Sequence, residues 1–361
     1  MFNYESNLRF KAAAVQLGPV LLDAPRWFDL DASLAKAVSA IDEAGKNGAR
    51  LIVLPEGYLP GHPSVVSSMG KYFQKEFQSL WVEYLKHSIE VPGPEVEILC
   101  KAAKRAGAYV AIGISERDQK YYGAMYNSIL YINPRGEVMG THRKISITSM
   151  ERVFQTPGQG GNNLKTIFPT ELGNIGGSIC NEHSQYLLQY YWLLQGLEVH
   201  CSLWPGMVSN KMSMQARVRG VSSCSGIWSV ASCAYIEPEN YPPGFRSQKI
   251  EVRLCGGSGI CSPRGEYIVG PVFDQETIVY GEIDMAEVPR KRATVCLTGM
   301  YSRWDILSLN VRDAPFEPVY HLEDRELRHR DGNSEHIRIL EQKIEELERR
   351  LDSRPPCLNG E

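Results

Sequence analysis

The chain has 361 residues, 43% of them hydrophobic and 22% charged, with a formal net charge of −3. That balance suits a soluble globular protein with a large core, and it gives no electrostatic case for a nucleic-acid partner or an anionic membrane. No apolar run reaches membrane-spanning length, and the first ten residues, with Glu5 and Arg9, lack the apolar stretch of a secretory signal.

Phe10–Leu17 reads as a first strand, and Leu34, Ala37, Val38 and Ile41 recur at helical spacing within 31–47. Leu51–Leu54 is too short and too apolar for anything but a buried strand. A helix opened by Pro94 runs to 106, and Tyr109–Ile114 is the next strand. This β-α-β-α-β run signals an α/β fold. Tyr126–Ile132, the turn Asn133-Pro134-Arg135-Gly136 and Glu137–Ile145 form a hairpin. Strands at 174–180 and 198–204 flank a helix from about Ser184 to Gly196, and Met212–Ser223 is a further helix. A second hairpin follows, Gly257–Cys261 with Glu266–Val269, and Ile278–Ile283 closes the set. Two groups of mixed strands with helices outside them predict two sheets packed face to face. Length alone would suggest two domains, but α/β sandwiches of this size often fold as one.

The composition turns to charge after about residue 312. The 313–361 tail carries a predicted helix at 334–352, capped by Asn333 or Ser334 and ended by Pro355-Pro356. Ile337, Leu340, Ile344, Leu347 and Leu351 fall at alternating three- and four-residue spacing, a short coiled-coil seam suited to a partner helix or to the chain's own core.

Three strand ends carry chemistry. Leu51–Leu54 leads to Glu56, the second hairpin strand leads to Lys144, and Asn174–Ile179 leads to Cys180. Read singly, they are a strand-end salt-bridge partner, a solvated lysine and a buried structural cysteine. Together they can supply one pocket with a base, a cation and a nucleophile, the cation and the following helix N-terminus favouring a thiolate. The other cysteines have no such setting. Nine cysteines without metal-ligand spacing read as mostly buried free thiols in a reducing, cytoplasmic compartment.

These segments resemble the nitrilase superfamily, whose members attack nitriles or amides with a Glu-Lys-Cys triad. Leu54-Pro55-Glu56-Gly57-Tyr58-Leu59-Pro60-Gly61-His62-Pro63 looks like the glutamate motif in its nitrilase form. His142-Arg143-Lys144, with Thr148 and Glu151-Arg152, is similar to the lysine motif and the second glutamate beyond it. Cys180, Glu182-His183, Leu187-Leu188, Glu198-Val199-His200 and Trp204-Pro205 resemble a stretch shared by arylacetonitrilases and cyanide-converting nitrilases. Gly299, Tyr301-Ser302-Arg303 and Asp305 resemble a late nitrilase-branch signature. The likeness spans residues 8–312 and departs from the family pattern at Asn181 (usually Trp), Ile147 (usually Pro), Met300, Trp304 and the Gly158–Asn162 stretch. The departures leave the triad intact and bear on substrate and product.

The resemblance implies a four-layer α-β-β-α sandwich and hydrolysis of a nitrile to acid and ammonia through a thioimidate and a thioester, with neither metal nor organic cofactor. The alternatives on the same triad are an amidase or carbamoylase, or an amide-forming nitrile (cyanide) hydratase. A catalytically silent scaffold is the alternative from another class. The resemblance implies Cys180 as nucleophile, Glu56 as general base, Lys144 as fixed cation and Glu151 as its orienting partner. Tyr58, Asn181, Glu182 and Trp204 are candidates for the substrate pocket. Glu182 reads equally as a cap on the helix after Cys180, and His142 and His183 read as structural hydrogen-bonders. The resemblance also implies a homodimer or larger homo-oligomer.

Overall fold

The computed structural model describes residues 8–63, 71–243, 253–312, 339–346 and 348–349, with the side chains of 71–76 and 149–150 excepted. The chain divides into two compact units, Met1–Ala314 and Pro315–Glu361.

The first unit holds two six-stranded sheets. In the first, β1 (Arg9–Gln16), β2 (Ala49–Val53) and β3 (Tyr109–Arg117) run parallel, and β4 (Met125–Ile132) and β5 (Val138–Arg143) add an antiparallel hairpin. In the second, β7 (Gly173–Ile179), β8 (Val199–Trp204) and β9 (Trp228–Cys233) run parallel. β6 (Phe168–Thr170) flanks that trio antiparallel on one side and β10 (Gly256–Cys261) on the other, with β11 (Tyr267–Phe273) pairing antiparallel to β10 at the edge. β12 (Thr277–Asp284) returns to the first sheet and pairs antiparallel with β1.

Side-chain alternation sorts the strands into layers. Ala12, Ala14, Leu51, Val53, Ala111 and Ile129 face inward, onto Ile175, Val199, Leu203, Val230 and Ile260 of the other sheet. Ala13, Val15, Ile52, Val110 and Ile112 face outward onto Leu34, Ala37 and Ile41 of α1 (Leu30–Lys46) and Leu99 and Ala102 of α3 (Pro94–Ala106). Asp29 caps α1, its side chain accepting from Ala32 N–H at 2.9 Å. Beyond the second sheet, Trp192 and Leu193 of α4 (Tyr186–Leu194) pack with Val221 of α5 (Lys211–Ser225). The result is the expected α-β-β-α sandwich.

Four α-helices and strands among the described residues have no counterpart in the sequence reading: β6, a helix at Glu287–Arg292, and the two that follow. α2 (Lys71–His87) brings Leu80, Tyr84 and Leu85 against Phe28, Met125 and Phe154. β9 is a central strand, buried along its whole length. The helix expected from Ser184 is also divided: Cys180–Ser184 form a 3-10 turn, and the α-helix starts at Tyr186. Among the described tail residues, 339–346 and 348–349 are helical, and Leu340 and Ile344 are exposed. The rest of the 334–352 helix, including Ile337, Leu347 and Leu351, lies outside the described residues. No helix among the described residues is long and apolar enough to cross a membrane.

Gly113 on β3 lets the loop after β2 settle on the sheet. A Cβ there would stand 2.2 Å from Pro55 O and 2.6 Å from Glu56 Cα. Both contacts are backbone, so nothing flexible can yield. We expect Gly113→Ala to cost roughly 1–3 kcal/mol in urea denaturation and to displace Glu56, lowering activity more than stability alone would.

Candidate active site

Glu56 follows β2 in a tight loop held on two sides. Leu54 N–H donates to Ala111 O at 2.8 Å, and Gly113 N–H to Pro55 O at 3.1 Å. Glu56 N–H reaches Trp204 O at the exit of β8, 3.4 Å away, so the loop spans both sheets. Lys144 follows β5, its N–H bonded to Asn127 O and its carbonyl to Gly158 N–H, each at 2.7 Å. Glu151 sits in the 3-10 turn Ser149–Val153, and its Oε2 accepts Thr148 N–H at 3.1 Å.

These three side chains meet in the interior. Lys144 Nζ donates to Glu56 Oε1 and to both oxygens of Glu151, each at 2.8 Å. Lys144 has no solvent exposure and Glu56 almost none. Asn127 Nδ2 also donates to Glu56 Oε1, at 2.8 Å. Two donors therefore fix one oxygen of Glu56, while Oε2 is buried with no hydrogen-bond partner. Burial alone would drive the Lys144 proton off, but the charges of Glu56 and Glu151 outweigh it and hold its pKa above the ordinary 10.5. Burial would likewise raise Glu151, but Lys144 and His62 hold it well below the usual carboxylate range.

Cys180 follows β7 and opens the 3-10 turn with φ +47°, a left-handed conformation costly for a residue with a Cβ. It is buried, and the charges of Glu56, Lys144 and Glu151 all act on its sulfur. Burial, then Glu56, push the thiol well above its ordinary value, and the opposing pull of Lys144 does not reverse this. The resting group is therefore a thiol. The expected thiolate is not stabilised, because the site is dry, it holds two carboxylates, and the α-helix begins only at Tyr186.

Glu182 ties the two sheets together. Its Oε1 accepts Ile145 N–H at 2.8 Å, just past Lys144, and its Oε2 accepts Ile179 N–H at 2.9 Å, just before Cys180. His142 Nε2 lies 2.9 Å from Oε2. Glu182 thus fixes the spacing of Lys144 and Cys180, a part that neither expected reading, helix cap or pocket wall, included. His183 Nδ1 lies 2.7 Å from Cys180 O, its Nε2 lies 2.6 Å from Ser202 Oγ, and its ring stacks on Trp204 with centroids 4.4 Å apart. Trp204 is fully buried, in the same inter-sheet cluster as Cys180. Asn181 is half-buried, and its side chain makes no hydrogen bond to the described residues. Tyr58 points elsewhere: it packs in the layer beneath α1, and its hydroxyl donates to Ser33 O at 3.2 Å.

Sequence reading gave no role to Asn127 or His62. Asn127 lies mid-strand and carries no signal. His62 lies inside the glutamate motif, but nothing in the sequence shows that it meets Glu151. Its Nε2 stands 3.0 Å from Glu151 Oε1 and 3.3 Å from Glu56 Oε1. Glu56, His62 and Glu151 thus bring three ligand-type atoms within 4.8 Å of one another. The cation between the two carboxylates is the Lys144 ammonium.

The carbon-nitrogen hydrolase family profile matches residues 11–293. The chain belongs to this family. It is 31% identical to a nitrilase of Penicillium rubens over 333 residues, which cover 88% of this chain and 98% of that one. It is 30% identical to a bifunctional nitrilase/nitrile hydratase of Lupinus angustifolius, over 88% of this chain and 90% of the relative. With such relatives, this carbon-nitrogen hydrolase falls in the nitrilase branch. Its fold is similar to that of Saccharomyces cerevisiae Nit3, with a TM-score of 0.62 at 19% identity, over 83% of this chain and 98% of that one. The C. elegans NitFhit protein gives a TM-score of 0.65 at 15% identity, over 86% of this chain and 69% of that one.

The buried charges set a pH window for stability. Glu151 and Glu182 lie below their ordinary 4.5 when folded, so they stabilise above about that pH, and the contribution fades as pH falls. His62 is raised from 6.5 to about 9, so its contribution is complete below 6.5 and is lost as pH rises through 9. His183 and His200, held neutral by burial, add to the acid-side loss from about 6.5 downward, so the melting temperature should peak near pH 6.5 and fall on both sides. Glu182→Ala should cost roughly 2–4 kcal/mol at neutral pH, since it strands two backbone donors and His142, and it should remove part of the acid-side slope.

Proposed function

We propose that this carbon-nitrogen hydrolase is a nitrilase, converting R–C≡N and two waters to a carboxylate and ammonia. The observation that carries the reading is the buried Glu56–Lys144–Glu151 cluster, whose charges act on Cys180 while one oxygen of Glu56 has no partner. Because the thiol is protonated at rest, nucleophile and base act in one event. Glu56 Oε2 accepts the thiol proton as sulfur bonds to the nitrile carbon, and the proton passes to nitrogen to give a thioimidate. Glu56 then takes a proton from water as the water oxygen adds to the same carbon and passes it to nitrogen, giving a tetrahedral species R–C(OH)(NH2)–S beside the Lys144 ammonium. Glu56 relays the hydroxyl proton of that species to the departing nitrogen. Expulsion of ammonia leaves a thioester on Cys180. A second water, activated in the same way, releases the acid and restores the thiol. Glu151 is the positioning residue: its two oxygens aim the ammonium, and it does not touch the reacting atoms.

Expulsion of the thiol from the tetrahedral species would instead give an amide, the branch that a bifunctional nitrilase/nitrile hydratase takes. Asn181, whose amide is unengaged beside Cys180, together with Trp204, is positioned to influence that choice. An amidase starts from the tetrahedral stage onward and needs the same residues. The late Gly299–Asp305 segment and the Glu182-His183 pair favour the nitrile reading.

The catalytic domain is assigned to 8–312 and the tail to 313–361, in a cytoplasmic homodimer or larger homo-oligomer. Tyr186 and Leu187 on α4 and Met300, Tyr301, Ile306 and Leu307 are exposed apolar side chains that support self-association, and Leu340 and Ile344 of the tail helix add to them. Truncation after Arg330 should lower the mass seen by light scattering while leaving turnover per subunit less affected. An unchanged mass would remove the tail from assembly.

The chemistry is tested with matched nitrile and amide substrates, quantifying acid, amide and ammonia. Cys180→Ala and Lys144→Ala should each abolish turnover with folded protein retained, and EDTA dialysis should leave the rate unchanged. Near-normal turnover by Cys180→Ala would overturn the mechanism, and amide turnover without nitrile turnover would reassign the chain as an amidase.

A further inference from the structure

One buried group in the site is not used by the mechanism above. His62 is 3% exposed, and its Nε2 lies between Glu151 Oε1 and Glu56 Oε1, at 3.0 and 3.3 Å. The two oxygens are carboxylate acceptors, so the ring nitrogen facing them carries the hydrogen. The charge balance goes further. Two carboxylates face one another across Lys144, and a single ammonium leaves one negative charge uncompensated in a dry interior, where an unpaired charge is costly. A second cation completes the set, and His62 is the titratable side chain placed to supply it. It rests on the close turn after Glu56: Gly57 stands against it, and a Cβ there would lie 3.4 Å from His62 Cα.

We propose that His62 is a charged positioning residue, an imidazolium whose shared hydrogen bond holds Glu151 and the Oε1 side of Glu56 and so leaves Glu56 Oε2 as the single proton-accepting oxygen. With His62, Glu56 Oε1 meets three donors, the others being Lys144 Nζ and Asn127 Nδ2. The carboxylate cannot turn its other oxygen toward the thiol without breaking all three. Among the described residues, the charged groups that act on His62 are Glu56 from the loop after β2 and Glu151 from the 3-10 turn; the same two charges also act on the Lys144 ammonium, the Cys180 thiol and the Tyr84 phenol of α2. Burial alone would discharge the ring, but Glu56 and the hydrogen bond to Glu151 overcome it and raise its pKa to about 9. The charge is therefore present at neutral pH and lost in the alkaline range. The inference deepens the nitrilase reading and rests on it for the kinetic consequence alone.

The test has two arms. The first follows the ring nitrogens of His62 by 15N NMR in otherwise intact Cys180→Ala protein, with the signal assigned by its absence in a Cys180→Ala, His62→Gln variant. This arm needs no turnover, so it stands even if the substrate is misjudged. Imidazolium shifts at pH 7.5, giving way to neutral ones near pH 9, are expected, and a neutral ring at pH 7.5 overturns the proposal. The second arm compares pH profiles of kcat and KM for the wild type and His62→Gln, which keeps a donor but cannot carry charge. We expect kcat to fall about tenfold or more with KM within about twofold, and the alkaline limb set by His62 to disappear. A purely structural role would scale activity with the folded fraction and leave that limb in place. Either this pattern or wild-type kinetics in His62→Gln overturns the proposal.

Discussion

A lysine ammonium with no contact with solvent sits between two glutamates, and most of the site follows from what that arrangement demands. Taking an ammonium out of water costs several kcal/mol even after relaxation. Lys144 recovers this only because three carboxylate oxygens stand at 2.8 Å. Each partner must then be held in turn: Glu56 by its loop contacts to β3 and β8, Glu151 by Thr148 N–H and His62, and Lys144 by the Asn127 and Gly158 backbone. Removing any member leaves an uncompensated buried charge, a loss of the order of 3–5 kcal/mol. Stability and chemistry are therefore coupled at this point in the fold.

In the proposed mechanism the same cluster decides how the nucleophile works. A thiolate beside two carboxylates in a dry pocket is unfavourable, so Cys180 rests protonated despite the nearby ammonium. In the proposed mechanism Cys180 becomes reactive when a bound electrophile lets proton and sulfur move together. The left-handed backbone of Cys180 and the Glu182 bridge hold the sulfur at the seam between the two sheets, where that event has to occur.

Much of this was legible in the sequence. The layer arrangement followed from two sets of apolar strands with helices between them, and the Glu56, Lys144 and Cys180 strand ends stood out because polar residues close apolar runs. What was lost depended on contacts distant in sequence. Glu182 looks like a helix cap until Ile145 and Ile179 are seen to share it, and Tyr58 looks like pocket lining until it is found under α1. β9 escaped notice because Ser229, Ala231 and Ser232 dilute its apolar signal, whereas α2 was legible, since Phe73, Phe77, Leu80, Trp81, Tyr84 and Leu85 recur at helical spacing. Asn127 and His62 are single polar residues, and only folding brings them to Glu56. The expected thiolate failed for a related reason: sequence shows a cation near the sulfur but not the desolvation that outweighs it.

The central claim is that Cys180 carries the acyl group through turnover. It is tested most directly by acid-quenching the enzyme during turnover of a nitrile and locating the covalent adduct by intact-mass and peptide mass spectrometry. The account predicts one acyl or imidoyl group per subunit, on the peptide containing Cys180 and released by hydroxylamine. Turnover with an unmodified Cys180 peptide and the adduct on another residue would contradict it.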